Sequence, residues 1–213
     1  MQTDAATSHT SNHCIRDNAD DDHGLSSWWN QAIALDHPQC LVRLCETRLF
    51  PCGNMALTEA VRLGRRECEV ALIEAVRLGS RGCVMVLHQA GIRLHFEHVW
   101  TAAEYGRVDI LAYLDAQNIG GFNEDACAFA AQGAHLATLQ WLRAHGCPWD
   151  ASTCALAAHG GHLDALQWAH DNGCPWNSRT TCYAQKQGHT DCLAFARTHG
   201  CPELYEPFLG DCP

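Results

Sequence analysis

Gly146-Cys147-Pro148-Trp149-Asp150 returns as Gly173-Cys174-Pro175-Trp176-Asn177 and again as Gly200-Cys201-Pro202, 27 residues apart each time. A fixed period of this size marks stacked supersecondary units rather than one globular core. Much more than the tripeptide repeats. Ala157-Ala158-His159-Gly160-Gly161-His162-Leu163-Asp164-Ala165-Leu166-Gln167-Trp168 has its counterpart one period earlier in Ala130-Ala131-Gln132-Gly133-Ala134-His135-Leu136-Ala137-Thr138-Leu139-Gln140-Trp141. One period later comes Gly188-His189-Thr190-Asp191-Cys192-Leu193, and Ala102-Ala103-Glu104-Tyr105-Gly106-Arg107-Val108-Asp109 lies earlier, out of register by one residue. Gly79 sits 27 residues before Gly106, and His37 sits 27 before Gly64. Between Gly64 and Gly79 the spacing drops to 15, with Glu59-Ala60-Val61-Arg62-Leu63-Gly64 nearly duplicated as Glu74-Ala75-Val76-Arg77-Leu78-Gly79.

Each unit reads as two short helices. The first, around Ser152 to His159, is alanine-rich, with Asp150 or Ser152 placed to cap its N-terminus. Gly160-Gly161 ends it, because glycine accepts the left-handed turn at a helix end. The second runs from about His162 to His170, with Leu163, Leu166 and Ala169 along one face. Asn172-Gly173 stops it, and Pro175 prevents continuation. A pair this short cannot bury its own apolar face, so neighbours must bury it.

The pattern resembles the ankyrin repeat. Glu97-His98-Val99-Trp100-Thr101-Ala102-Ala103 sits where that family has Thr-Pro-Leu-His-x-Ala-Ala, and Gly161-His162-Leu163-Asp164 where it has Gly-His-x-Glu. Trp149-Asp150 and Trp176-Asn177 take the place of its Val-Asn pair. The family's unit has about 33 residues, so the hairpin finger is shortened here. The Thr-Pro pair is replaced by Ser152-Thr153 and Arg179-Thr180. Short Gly-Cys-Pro-Trp units are similar to a divergent ankyrin subgroup of protists and of large DNA viruses that infect them. The likeness is fullest over residues 92–202, weaker over 65–91 and weakest over 25–64.

The resemblance implies an all-α solenoid of six to seven units whose concave groove holds a partner protein. Carried over position by position, the groove would be lined at the ends of the first helices by Glu104, Tyr105, Gln132, His159, Lys186 and Gln187. At the turns it would be lined by Asn123, Glu124, Asp150, Ala151, Asn177 and Ser178. Tyr105, Gln132, His159 and Lys186 differ among otherwise constant units, as a binding groove requires. The resemblance also implies that the column His135, His162 and His189 is structural, tying adjacent turns by hydrogen bonds.

Composition narrows the function. Residues 1–24 are polar and acidic, with Asp17, Asp20, Asp21 and Asp22, and lack the apolar residues to pack. Residues 25–202 form the expected array, and residues 203–213 its cap or a truncated unit. The formal net charge of −10 argues against nucleic acid or an anionic membrane as a main partner. The basic group Arg62, Arg65, Arg66, Arg77 and Arg81 reads as a solvated helix face. There is no charged segment leading into a short apolar stretch, and no run of 18 apolar residues. Of the fourteen cysteines, five fall in repeat columns, Cys147/Cys174/Cys201 and Cys127/Cys154, as small apolar side chains would. Reduced thiols and an intracellular, cytoplasmic setting are expected (a host's cytoplasm for a viral protein), with the chain a monomer.

Catalysis and cofactors are not expected. His159, His162 and Cys154 are near in sequence, but no Cys-x-x-Cys or His-Glu-x-x-His pattern accompanies them. Every Cys–His proximity is copied along the chain, whereas a nucleophilic site needs one activated thiol. The column Tyr113, Trp141, Trp168 and Phe195 lies on the second helices and reads as a ladder sealing successive units; Trp149 and Trp176 read as covers for the turns. Two alternatives accompany the binding module. One is an adaptor recruiting targets to a ubiquitin ligase or other host machinery, although residues 25–50 fit a degenerate repeat better than an F-box. The other is a metal- or redox-responsive protein using the cysteine columns.

Overall fold

The periodic glycines stand at helix ends. Gly79, Gly106, Gly161 and Gly188 have φ of 84°, 71°, 75° and 76°, and each closes the first helix of a pair. The left-handed region they occupy is open to glycine at little cost. In the computed structural model, which describes residues 69–89 and 92–203, every regular element is helical. Residues 69–78 are α1, whose start lies outside the described residues. There follow α2 (Arg81–Gln89), α3 (Phe96–Glu104), α4 (Val108–Ala116), α5 (Glu124–Gln132), α6 (Leu136–Ala144), α7 (Ala151–Gly160), α8 (Leu163–Asp171), α9 (Ser178–Gln187) and α10 (Thr190–Thr198). These are five helix pairs in series. The segments expected at 1–24 and 25–64, and the cap at 203–213 beyond Glu203, fall outside the described residues.

Two rules of helix termination repeat with the period. The first helices α5, α7 and α9 begin at an extended Asn or Asp, and α3 at His95: Asp150 accepts from the Ser152 amide at 2.9 Å, and Asn177 from the Arg179 amide at 3.0 Å. Of the two expected caps, Asp150 therefore takes the role. Second helices end in a doubly bonded turn. The Cys147 amide donates to Leu142 (3.0 Å) and the Gly146 amide to Arg143 (3.1 Å), satisfying carbonyls the helix leaves open. Cys174/Gly173 and Cys201/Gly200 repeat this geometry, and so do Ile119 and Asn118. Asn118 takes φ 54° where the other copies have glycine.

The first helices α3, α5, α7 and α9 pack on one another in chain order, and each also packs on the second helix of its own pair. Second helices touch their neighbours more sparsely. Side-chain size explains the difference. Ala102, Ala103, Ala126, Ala130, Ala131, Ala157, Ala158 and Ala184 are buried on the first helices, whereas Leu111, Leu114, Leu139, Leu142 and Leu166 fill the second layer. The core face of α8 is Ala165, Leu166 and Ala169. Leu163, expected on that face, is only half-buried, because it stands at the first position of the helix.

Rings close the outer side of the second layer. Phe122 meets Trp141 (6.4 Å between centroids), Trp149 meets Trp168 (5.7 Å) and Trp176 meets Phe195 (6.1 Å). Trp149 also lies under the Arg143 guanidinium at 4.2 Å, and Trp176 stacks on His170 at 4.1 Å. Trp149 and Trp176 are thus each held between two successive second helices, against the rings of Trp168 and Phe195.

The cysteine columns bond across units. The thiols of Cys147, Cys174 and Cys201 donate to the carbonyls of Asn123, Asp150 and Asn177 at 3.2, 3.2 and 3.3 Å. Seven described cysteines are buried free thiols. Cys182 departs from the expectation of reduced thiols throughout, since it is disulfide-bonded.

Candidate functional site

The outward face of the first helices carries three parallel rows, each taking one residue from each helix of α1, α3, α5, α7 and α9. Residues three or four apart on a helix share a face, so each helix contributes a short column and the stack turns columns into rows. The N-terminal row is Val70, Glu97, Asp125, Ser152 and Arg179. The middle row is Phe129, Leu156 and Tyr183 on α5, α7 and α9, joined on α3 by Trp100 and on α1 by Ile73, each one residue before the strict equivalents Thr101 and Glu74. The C-terminal row is Arg77, Glu104, Gln132, His159 and Lys186.

The residues expected to line a groove fall at the two margins of this face. Glu104, Tyr105, Gln132, His159, Lys186 and Gln187 lie at the C-terminal ends of α3, α5, α7 and α9. Asn123, Glu124, Asp150, Ala151, Asn177 and Ser178 lie at the N-terminal ends. A nine-residue helix separates its two ends by about 13 Å, so the two sets flank the face rather than meet. His159 and Gln187 are brought together, with Nε2 to Nε2 at 3.0 Å. Tyr105 turns toward α1, where the Arg77 guanidinium lies 6.0 Å from its ring; Arg77 also pairs with Glu74 at 2.6 Å. That carboxylate holds the Arg77 pKa above its ordinary value.

Several expected turn residues are engaged in holding the fold. Asp150 and Asn177 cap helices, and Asn123 accepts from the Trp100 indole N–H at 3.0 Å. Asn123 also donates to Asp125 at 3.2 Å. Glu124, Gln187 and Lys186 are exposed, while Ala151 and Ser178 are half-buried.

Sequence reasoning missed the middle row. Trp100 and Phe129 lie 6.0 Å apart across α3 and α5, and Phe96 meets Trp100 at 4.9 Å. Tyr183 meets the His159 ring edge-on at 5.5 Å and accepts from Arg179 at 3.0 Å. Phe129, Leu156, Tyr183 and Trp100 are half-buried, and Ile73 and Phe96 are 44% and 46% exposed. The signal was present, since Phe129, Leu156 and Tyr183 keep the 27-residue period. Large apolar residues on an amphipathic helix are normally assigned inward. On α5 and α7 alanines hold most of the inward positions, and the large residues are left facing out.

Beyond Arg77 on α1, the charge on this face changes sign from α3 to α9. Glu97, Glu104, Glu124 and Asp125 cluster on α3 and α5, whereas Arg179 and Lys186 stand on α9. Ser152, Leu156 and His159 on α7 separate the two ends.

The N-cap column of the second helices is structural. His189 lies 3.1 Å from the His159 carbonyl, and Arg107, at the equivalent position, donates to the Arg77 carbonyl at 3.0 Å. Burial, together with the nearby Arg107 charge, lowers the His135 pKa, and the backbone of Glu104 is its bonding partner. His98 is buried and accepts from the His95 amide at 2.9 Å; burial lowers its pKa as well. Among the described residues no group of three or more His, Cys, Asp or Glu side chains is placed to hold a metal ion. Among them, too, no helix is long and apolar enough to cross a membrane.

No protein-family model matches the chain, and comparison with curated proteins gave no match.

Proposed function

We propose that the protein is an ankyrin-like array that acts as a non-catalytic binding module, holding a partner protein against the outward face of its first helices. The observation that carries this reading is the row Ile73, Trp100, Phe129, Leu156 and Tyr183. Five helices in succession carry a large, at least partly exposed apolar side chain on this face, while alanines fill most of the inward positions of α5 and α7. A continuous outward apolar row is a feature of binding surfaces rather than of idle ones. The tight alanine layer supports a curved stack with this face on its inner side, where arrays of this architecture bind extended partners. A preformed face loses little conformational entropy on binding.

The test is affinity capture with three forms of the full chain. The first is wild type; the second is Phe129→Ala/Leu156→Ala/Tyr183→Ala; the third is Tyr105→Ala/Gln132→Ala/His159→Ala/Lys186→Ala. A direct partner, re-measured with purified protein, is expected to lose at least tenfold in affinity with the apolar triple variant. Loss is expected to be smaller with the marginal quadruple variant. A partner bound equally by all three forms places the site elsewhere and ends this reading.

A further inference from the structure

A cavity of about 270 Å³ lies between α1 and α3, lined by Glu69 and Ile73 from one helix and by His95, Glu97 and His98 at the start of the other. It is smaller than the roughly 300–1,000 Å³ of small-molecule sites and far larger than the share of about 30 Å³ that one water fills. One long side chain suits its size. The surface around it is the most exposed apolar part of the described residues. The large apolar side chains most open to solvent there are Val70, Ile73, Leu78, Phe96 and Tyr105, all on α1 and α3 or at their ends. Ile73 lines the cavity itself, and Phe96 stands between His95 and Glu97 in the chain.

The lining is acidic. Neither the Glu69 nor the Glu97 carboxylate has an ion-pair or hydrogen-bond partner among the described residues. Arg77 is paired with Glu74 at 2.6 Å and stands eight residues along α1 from Glu69, about 12 Å by the helix rise. Arg93, two residues before His95, is exposed and pairs with neither carboxylate. His98 adds a buried polar atom. Its side chain is only 5% exposed, and its Nδ1 lies 2.9 Å from the His95 amide nitrogen and 3.0 Å from the His95 carbonyl oxygen. Nε2 has no hydrogen-bond partner among the described residues and is not sealed from solvent, so it opens into the cavity. In the tautomer that donates from Nδ1 to the His95 carbonyl, Nε2 presents a lone pair there. Burial lowers the His98 pKa, and the charges of Glu97 and Glu69 oppose that shift, which places both carboxylates near the ring.

Two carboxylates without partners and an imidazole lone pair suit a cation. Among the described residues no three His, Cys, Asp or Glu side chains are placed to hold a metal ion, which leaves an organic cation, and the apolar wall at Ile73 and Phe96 suits one on an aliphatic stem. Arginine fits this better than lysine. Its flat guanidinium reaches two carboxylates at once and stacks on rings, whereas an ammonium is a compact, strongly hydrated charge. The rings of His95 and His98 lie stacked, with centroids 6.1 Å apart and planes 22° from parallel, and offer such a flat wall. Resting on the reading of this face as a protein-binding surface, we infer that the cavity between α1 and α3 takes one arginine side chain of the partner protein, with its stem over Ile73 and Phe96 and its guanidinium bonded to Glu69, Glu97 and His98 Nε2. Such a buried arginine anchor is the kind of contact that dominates the energy of an interface.

The full chain is titrated with N-acetyl-arginine N-methylamide and, separately, with the lysine analogue, while the ring signals of His95 and His98 are followed by NMR. Saturable shifts of both signals are expected with the arginine probe, and at least threefold weaker binding with the lysine probe. Glu69→Gln/Glu97→Gln, which keeps the shape of both side chains, is expected to weaken the arginine probe tenfold or more without moving the melting temperature. No saturable shift, equal binding by the double variant, or equal binding of the two probes overturns the inference. So does tenfold tighter binding by Arg65→Ala/Arg66→Ala, which would show the chain's own arginines to be the occupant. The partner identified by capture separates this inference from the reading it rests on. Glu69→Gln/Glu97→Gln should cost that partner tenfold or more in affinity, and one Arg→Ala substitution in the partner should cost as much, with no further loss when the two are combined. A partner that loses affinity with Phe129→Ala/Leu156→Ala/Tyr183→Ala but not with Glu69→Gln/Glu97→Gln leaves the face as the site and ends the arginine cavity. A partner indifferent to both sets of substitutions defeats both readings.

Discussion

The imidazole of His189 stands 3.1 Å from the backbone carbonyl of His159, 30 residues earlier in the chain. The contact joins the start of α10 to the end of α7, one unit back. Gly161 leaves the room for it, because a Cβ there would fall 2.5 Å from the His189 ring. His189→Ala should lower stability by about 1 kcal/mol, the net worth of a typical hydrogen bond. Urea unfolding checks this, and an unchanged midpoint would show the contact to be idle.

The left-handed column makes a prediction of opposite sign at two equivalent positions. Ala134 takes φ 64° where Gly106, Gly161 and Gly188 hold the same turn. A left-handed alanine costs roughly 1–2 kcal/mol, partly offset by the entropy glycine loses on folding. Ala134→Gly should therefore stabilise the protein by about 0.5 kcal/mol. Gly161→Ala should destabilise it by about 2 kcal/mol or more, since it adds the collision with His189 to the backbone cost. Thermal melts of both variants test the pair, and a shared sign would contradict the turn geometry.

Acid should weaken the fold. His98 and His135 both titrate below the ordinary histidine value of 6.5, His98 chiefly through burial and His135 through burial and the Arg107 charge. The unfolded chain then binds protons more readily than the folded one. The stability tied to this difference is fully present above about pH 6.5 and is lost as pH falls through 6.5 toward the lower folded-state values. Melting temperatures between pH 8 and pH 5 should drop on that lower limb. His98→Asn keeps an acceptor for the His95 amide and cannot charge, so it should flatten part of the drop.

The column Cys127 and Cys154 should be inert in the folded state. Hydrogen bonding to Cys147, with burial, pushes the Cys127 thiol up, and Cys174 does the same for Cys154. A buried thiol with little thiolate is a poor nucleophile. Site-resolved alkylation at pH 7.5 should label Cys127 and Cys154 more than tenfold faster in urea than in buffer. Equal rates would favour the redox-responsive alternative.

Much of this architecture was legible in residue order. Gly-Cys-Pro fixed the ends of α6, α8 and α10 because each letter has one physical task there: the left-handed turn, the buried cap and the stop. The earlier copy at Asn118-Ile119 was not legible as a cap, because asparagine and isoleucine do those first two tasks under different letters. The site was read only at its margins. Gln132, His159 and Lys186 stand out as polar residues that vary, while Phe129, Leu156 and Tyr183 are not among the groove residues the sequence pointed to. Which face of an alanine-rich helix is buried depends on how closely its neighbours approach, and no single helix carries that information. Asp150 and Asn177 look equally suited to capping and to binding until their hydrogen bonds are seen.

The thiol-to-carbonyl bonds at Cys147, Cys174 and Cys201 also bear on how the chain can change length. Each joins the same two positions of adjoining units, with 24 residues between donor and acceptor. Every such boundary is thus a copy of the next, and the surface exposed by removing one unit already fits the unit beyond. Excising residues 148–174 would set Cys147 before Pro175 and leave Asn123 facing the same thiol as before. The array is modular at its joints: a gain or loss of 27 residues through slippage or recombination in the coding sequence would yield a shorter or longer stack, not a broken one.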